Sequence, residues 1–219
     1  TIVKEWLFEL LGARASVYRS PGSFNSQLGV PLAVLGIRPD HEIAIVEAGV
    51  SQPGEMQKLF EIIRPDIGIL THMGRAHEQG FQSFEEKLYE KCRLFQSART
   101  VLSSIEAGDL PLGGDTAHEL VGNRPTTDYA FELRASTQQH FAFALKGVEF
   151  GLPLSGDVAL ENAMLSIAAA VALGEPVEQL PPRVAKLQPV AMRQEMITDN
   201  PEITIINDAY TADIDSLHQ

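Results

Sequence analysis

The sequence predicts an α/β fold: a mostly parallel sheet with helices on both faces, plus a smaller β-rich subregion. Three observations predict it. Short apolar runs alternate with segments of helical periodicity from Thr1 to about Ser104, as in successive βαβ units. From Gly113 to Leu154 the pattern changes. Stretches such as TTDYAFEL and QHFAFALKG alternate apolar and polar residues, which reads as antiparallel strands beside the main sheet. An alanine-rich helix and one more apolar run come after it.

Each element has its own signal. Val3, Trp6, Leu7 and Leu10 fall on one stripe, so Thr1 to Leu11 reads as a helix stopped by Gly12. SPGSFNSQLGVP has loop composition, and a short apolar helix is expected from Val30 to Leu35. Glu42 to Gly49 (EIAIVEAG) and Asp66 to Thr71 (DIGILT) read as buried strands. Between them, Gly54 to Pro65 reads as a helix closed by proline. Ser83 to Ala98 reads as a helix with Ser83 as N-cap and Glu86 three residues on. RTVLSS is the next strand, Glu161 to Gly174 the alanine-rich helix, and Glu202 to Tyr210 the last strand.

Bulk properties narrow the function. The 219 residues fit one large domain or a domain and a half, long enough for a sizeable core. A hydrophobic share of 44% with 21% charged residues is the balance of a globular protein. No apolar run approaches the roughly 18 residues that cross a membrane, and the amphipathic opening TIVKEWLFELLG does not resemble a secretory leader. The single cysteine, Cys92, excludes an internal disulfide and suits a cytoplasmic location. A net charge of −12 argues against nucleic acid or an anionic membrane as partner. It leaves nucleotides open, because a divalent cation offsets local negative charge.

Five positions carry candidate chemistry, and most have a plainer alternative. Glu47 ends an apolar strand just before Gly49, where ligands of open parallel sheets sit and where a carboxylate can hold Mg²⁺. The alternative is an acid satisfied in a turn. His72 and His77 come after the second such strand, as a candidate metal ligand or as two surface histidines. Lys91 shares the stripe of Phe84, Leu88 and Phe95 at spacings of 4, 3 and 4. It either snorkels or is modified by CO₂ to an anionic carbamate. Lys87 and Glu90 fall off that stripe and read as solvated charges. Thr1 stands at a helix start, where free N–H groups favour phosphate.

Taken together, seven segments resemble the Mur ligase family, in order and over nearly the whole chain. TIVKEW resembles the segment just after the family's GKT phosphate loop, with Thr1 as the loop threonine. GSFNSQLGVP resembles the GNxNNxxGxP loop of the branch that adds D-alanyl-D-alanine, and EAGVSQPGEM resembles ExGxxxxGEI. THMGRAHEQGF resembles TNIGxAHxExF, and EKCRLF resembles the AKxxIF helix with its carbamylated lysine at Lys91. ENAMLSIAAA resembles NxxNALAA, and NDAYTADIDS resembles DDSYNANPxS. His72 and Ser26 stand where the family has asparagine, as do Thr211 and Asp213, and Ala159 replaces the first asparagine of NxxN.

The resemblance implies a P-loop NTPase-like central domain over residues 1–206, with the β-rich subregion at about 106–154 and a hinge beginning at 207–219. It implies that an N-terminal domain, a C-terminal domain and most of the phosphate loop lie outside these residues, so the chain alone is expected to bind ATP weakly and not to ligate. ATP would be a substrate and Mg²⁺ the cofactor. Thr1, Glu47 and His77 would ligate Mg²⁺, and carbamylated Lys91 would hold a second Mg²⁺ and the γ-phosphate, which makes His77 and Lys91 the catalytic candidates. Thr1, Asn162, Arg193 and Asp208 would contact ATP. Asn25 and Ser26 would lie near a UDP-N-acetylmuramoyl peptide, whose carboxylate becomes an acyl phosphate and then an amide with D-alanyl-D-alanine. Another Mur-type or folylpolyglutamate-type ligase shares the ATP and metal residues, and a non-catalytic module could retain the fold.

Overall fold

The computed structural model describes residues 1–12, 16–73, 80–105, 110–137, 140–190, 195–200 and 203–207. Helix α1 (Ile2–Leu11) forms as its stripe predicts, burying Val3, Trp6, Leu7, Leu10 and Leu11. It is tied down from far along the chain, because Trp6 Nε1 donates to the carbonyl of Gln188 at 2.9 Å. Strand β1 (Val17–Arg19) is too short for a period to show in sequence, and it pairs in parallel with β2 (Ile43–Ile45). β2 is shorter than the expected run from Glu42 to Gly49, and Ala44 within it is exposed. It is therefore not the buried strand its composition suggests, because apolar content alone does not reveal that its sheet has two strands.

Helices α2 (Gly29–Val34) and α3 (Glu55–Ile63) lead to β3 (Ile67–Leu70), and helix α4 (Phe84–Cys92) leads to β4 (Thr100–Ser103). Ser83 caps α4 as expected, its Oγ accepting the N–H of Glu86 at 3.2 Å. The helix is shorter than expected and tightens into a 3₁₀ turn at Arg93–Phe95. Its faces also differ from the sequence reading. Lys87 and Glu90, read as solvated, are 5% and 3% exposed, whereas Phe84 on the apolar stripe is 51% exposed. The reason is tertiary. α4 packs against α3, and Glu90 Oε1 accepts the N–H of Met56 at 2.9 Å, capping a neighbouring helix from within the core.

The main sheet runs β3-β4-β5-β6-β7-β8, with β5 (Ala117–Gly122), β6 (Tyr129–Ser136), β7 (Phe141–Leu145) and β8 (Val148–Leu152). β3, β4, β5 and β6 pair in parallel, and β6, β7 and β8 pair antiparallel. The β-rich stretch thus extends the main sheet instead of standing beside it. β5, which its sequence does not mark, makes the join. Lys146 and Gly147 both have positive φ, 52° and 80°, as the tight β7–β8 turn requires. After α5 (Asp157–Ala172) and α6 (Pro181–Val184), strands β9 (Glu195–Asn200) and β10 (Ile203–Asn207) form an antiparallel pair.

β4 shows how the sheet is covered on both faces. Val101 joins a cluster with Leu59, Leu88 and Phe95 from the α3–α4 side. Leu102, the next residue, joins a cluster with Leu7, Leu10, Ala163 and Ile167 from α1 and α5. Gly68 in β3 is needed for this packing, since a Cβ there would press into the Phe95 ring, 2.7 Å from Cε1. Gly68→Ala is expected to destabilise the chain by about 1–3 kcal/mol, read as a lower urea midpoint at unchanged slope.

Candidate active site

Three candidate residues meet at the carboxyl end of β2. Thr1, at the start of α1, donates its hydroxyl to Glu47 Oε1 at 2.8 Å. Asn25 donates its side-chain amide to the same oxygen, also at 2.8 Å. The other oxygen, Oε2, is buried and receives no hydrogen bond among the described residues. The chain bends around this point for local reasons. Glu47 N–H donates to Ser20 Oγ at 3.2 Å, and Gly49 N–H donates to the carbonyl of Asn25 at 2.8 Å. Gly49 lies against Asn25, with a Cβ built there 3.6 Å from its amide carbon. Burial pushes the Glu47 carboxyl up, but the Asn25 amide, the Thr1 hydroxyl and Lys4 pull it down, and it lies below its ordinary value. Glu47 is therefore an anion at neutral pH, with one oxygen that accepts no hydrogen bond among the described residues.

The remaining candidates stand elsewhere or outside the described residues. Ser26 does not join the cluster; its Oγ accepts the N–H of Gly29 at 3.2 Å at the start of α2. Lys91 sits half-buried on α4. Desolvation, then the charge of neighbouring Lys87, lower its amine to about 8. No ion pair or hydrogen bond joins Lys91 to Glu47 among the described residues. Asn162 is buried on α5, 7% exposed. His77, Arg193 and Asp208 lie outside the described residues. Among the described residues, no three His, Cys, Asp or Glu side chains converge as a metal-binding group, and no helix is long and apolar enough to cross a membrane.

Two further groups escaped the sequence reading. Lys4 is buried at 5% exposure and stands 3.6 Å from Glu47 Oε2. A signal existed, since Lys4 lies three and seven residues before the buried Leu7 and Leu11. The second group lies beyond β3 and β4, where Glu161 Oε1 accepts the Ser104 hydroxyl and Oε2 lies 3.5 Å from His72 Nδ1. Burial raises the Glu161 carboxyl, but His72 and Ser104 hold it below its ordinary value. Nothing in spacing could announce this group, because its members come from three separate elements.

Comparison with known proteins places the chain in a family. The family model described as the Mur ligase middle domain matches residues 1–170. The UDP-N-acetylmuramoyl-tripeptide--D-alanyl-D-alanine ligase of Bacillus subtilis is 30% identical over 217 residues, covering 97% of this chain and 48% of its own length. The protein of that name from Borreliella burgdorferi is 27% identical over 225 residues, covering 99% of this chain and 48% of its own. Among solved structures, MurF from Acinetobacter baumannii matches with a TM-score of 0.87 at 23% identity, covering 99% of this chain and 49% of its own. The MurF ligase from Thermotoga maritima in complex with ADP matches with a TM-score of 0.83 at 24% identity, covering 99% and 52%. These structural likenesses establish the fold. The chain spans about half the length of the curated relatives it matches. With a family model covering residues 1–170 of its 219, the chain belongs to the Mur ligase family.

Proposed function

We propose that this chain is the ATP-using central domain of a magnesium-dependent ligase that adds D-alanyl-D-alanine to a UDP-N-acetylmuramoyl peptide. The observation that carries this reading is the Glu47 cradle. A hydroxyl and an amide converge on one oxygen and leave the other buried and without a hydrogen bond among the described residues. A buried anionic acceptor left open in this way suits a hard divalent cation, which takes oxygen ligands and needs few from the protein. Thr1, Glu47 and His77 would hold one Mg²⁺, and carbamylated Lys91 a second. Bound magnesium would offset phosphate charge and polarise a phosphoryl oxygen.

The chain's own residues have separable parts in this reaction. The first turn of α1 would direct its free N–H groups at the phosphates. Lys91 would form its carbamate as neutral amine plus CO₂, giving the carbamate anion and one proton. At pH 7.5 an amine with a pKa of about 8 is roughly one quarter neutral, about two orders of magnitude more than an ordinary lysine. Lys87 would then face an anion instead of a second cation. Asn162, Arg193 and Asp208 would contact ATP, with Asn25 and Ser26 near the acceptor. The acceptor carboxylate would take the γ-phosphoryl group and release ADP. The amine of D-alanyl-D-alanine would then attack the acyl carbon, lose a proton and expel phosphate.

Phosphate release by the ligase carrying this chain should require ATP, UDP-N-acetylmuramoyl tripeptide and D-alanyl-D-alanine together. Turnover with a different muramoyl peptide, or with a folate, would move the assignment to another branch. No phosphate release with any acceptor would leave a non-catalytic module.

A further inference from the structure

We propose that Lys4 is a positioning residue that fastens the acceptor-side loop to the metal-binding carboxylate, so that Glu47 and the backbone from Ser20 to Asn25 hold one arrangement. The inference rests on the reading of Glu47 as a cation ligand. Lys4 is 5% exposed, so its ammonium needs protein acceptors for its donors. It donates to the carbonyl of Ser20 at 2.9 Å and to the carbonyl of Gly22, and it pairs with Glu5 Oε1 at 3.0 Å. Glu47 Oε2 stands 3.6 Å away, beyond hydrogen-bond reach but within Coulombic attraction. Two further links join the same partners. Ser20 Oγ accepts the N–H of Glu47, and Asn25 donates to Oε1. Lys4 is the tie that comes from α1, the helix whose first residue also binds Glu47.

A cation beside a metal ligand can act in two opposite ways. As a bare charge it repels an incoming divalent ion, and its removal tightens metal binding. As a clamp it holds the carboxylate in the receiving geometry, and its removal loosens metal binding. The geometry points to the clamp, because Lys4 hydrogen-bonds two loop carbonyls and none of the Glu47 oxygens.

Mn²⁺ binding measured by electron paramagnetic resonance, with amide hydrogen exchange, separates the two in this protein. Lys4→Met is expected to weaken Mn²⁺ about tenfold. It should also speed exchange at the amides of Glu47 and Gly49 about tenfold, with α5 unchanged. Tighter Mn²⁺ binding would make Lys4 a counter-ion and overturn the proposal, as would unchanged exchange at those two amides. Should Lys4→Met fail to fold, Lys4→Arg decides, because a planar fork does not reproduce the ammonium's contacts. Its Mn²⁺ affinity should fall at least about threefold at an unchanged melting temperature, and an unaltered affinity overturns the proposal. Glu47→Gln tests the underlying reading separately. If it binds Mn²⁺ as well as the parent chain, Glu47 is not a ligand, and the exchange data still decide whether Lys4 is a clamp.

Discussion

Replacing Lys91 is expected to stop ligation and, at the same time, to stabilise the domain. The amine is lowered from 10.5 to about 8 by burial and by Lys87. Between those two values the unfolded chain binds more protons than the folded one, so stability rises with pH across that window. Below pH 8 the full cost of holding an ammonium there applies, up to about 3 kcal/mol. Lys91→Met removes that cost and should raise stability at pH 7 by about 1–3 kcal/mol, while erasing the rise between pH 8 and 10.5. Urea melts across that range read both. Bicarbonate should raise the melting temperature of the parent chain, since a carbamate replaces the half-buried cation with an anion facing Lys87, and should leave Lys91→Met unmoved. In the ligase, Lys91→Ala is expected to lower turnover on the order of 1,000-fold, the loss of several kcal/mol of charge stabilisation, with no rescue by bicarbonate. Turnover at the parent rate would remove the carbamate from the mechanism.

Glu47→Gln carries the second large effect. The substitution keeps an acceptor for Thr1 and Asn25, but it can set an amide against Lys4 and takes the negative charge from the open position. Metal-dependent nucleotide binding should fall on the order of 100- to 1,000-fold, read by titrating Mg²⁺ against ATP. Stability should fall by about 1–3 kcal/mol, because a buried ammonium loses one of its two counter-charges and keeps only Glu5. The pH dependence comes from the lowered carboxyl. Its contribution is complete above the ordinary carboxylate value and disappears as pH falls through the lower folded value. The parent chain should therefore lose stability in acid more steeply than Glu47→Gln does. Equal acid profiles would mean that the Glu47 charge adds nothing to the fold.

Particular residues show why some of this was legible in the chain and some was not. The α1 stripe, the Ser83 cap and the alanine-rich α5 announce themselves because their interactions run between residues three or four apart. Glu47 announces itself because a carboxylate ending an apolar strand stands out against its neighbours. Glu90 gives no such notice. Its partner is the N–H of Met56, thirty-four residues earlier, so a residue that looks solvated on its own helix is buried by another. β5 is similar, since its place between β4 and β6 depends on strands pairing across the chain.

Much of the local order was therefore written in the chain: which segments coil, which extend apart from strands such as β1 and β5, and which acids, amines and hydroxyls lie near their ends. Short-range periodicity and capping carry that information, and no distant partner is required. The resemblance alone put Thr1 with Glu47; the arrival of Asn25 and Lys4 beside that carboxylate was not written there, nor was the burial of Lys87 and Glu90. Those features depend on which surfaces meet in three dimensions. A side chain's solvation and charge environment come from neighbours dozens of residues away, where no local pattern reaches.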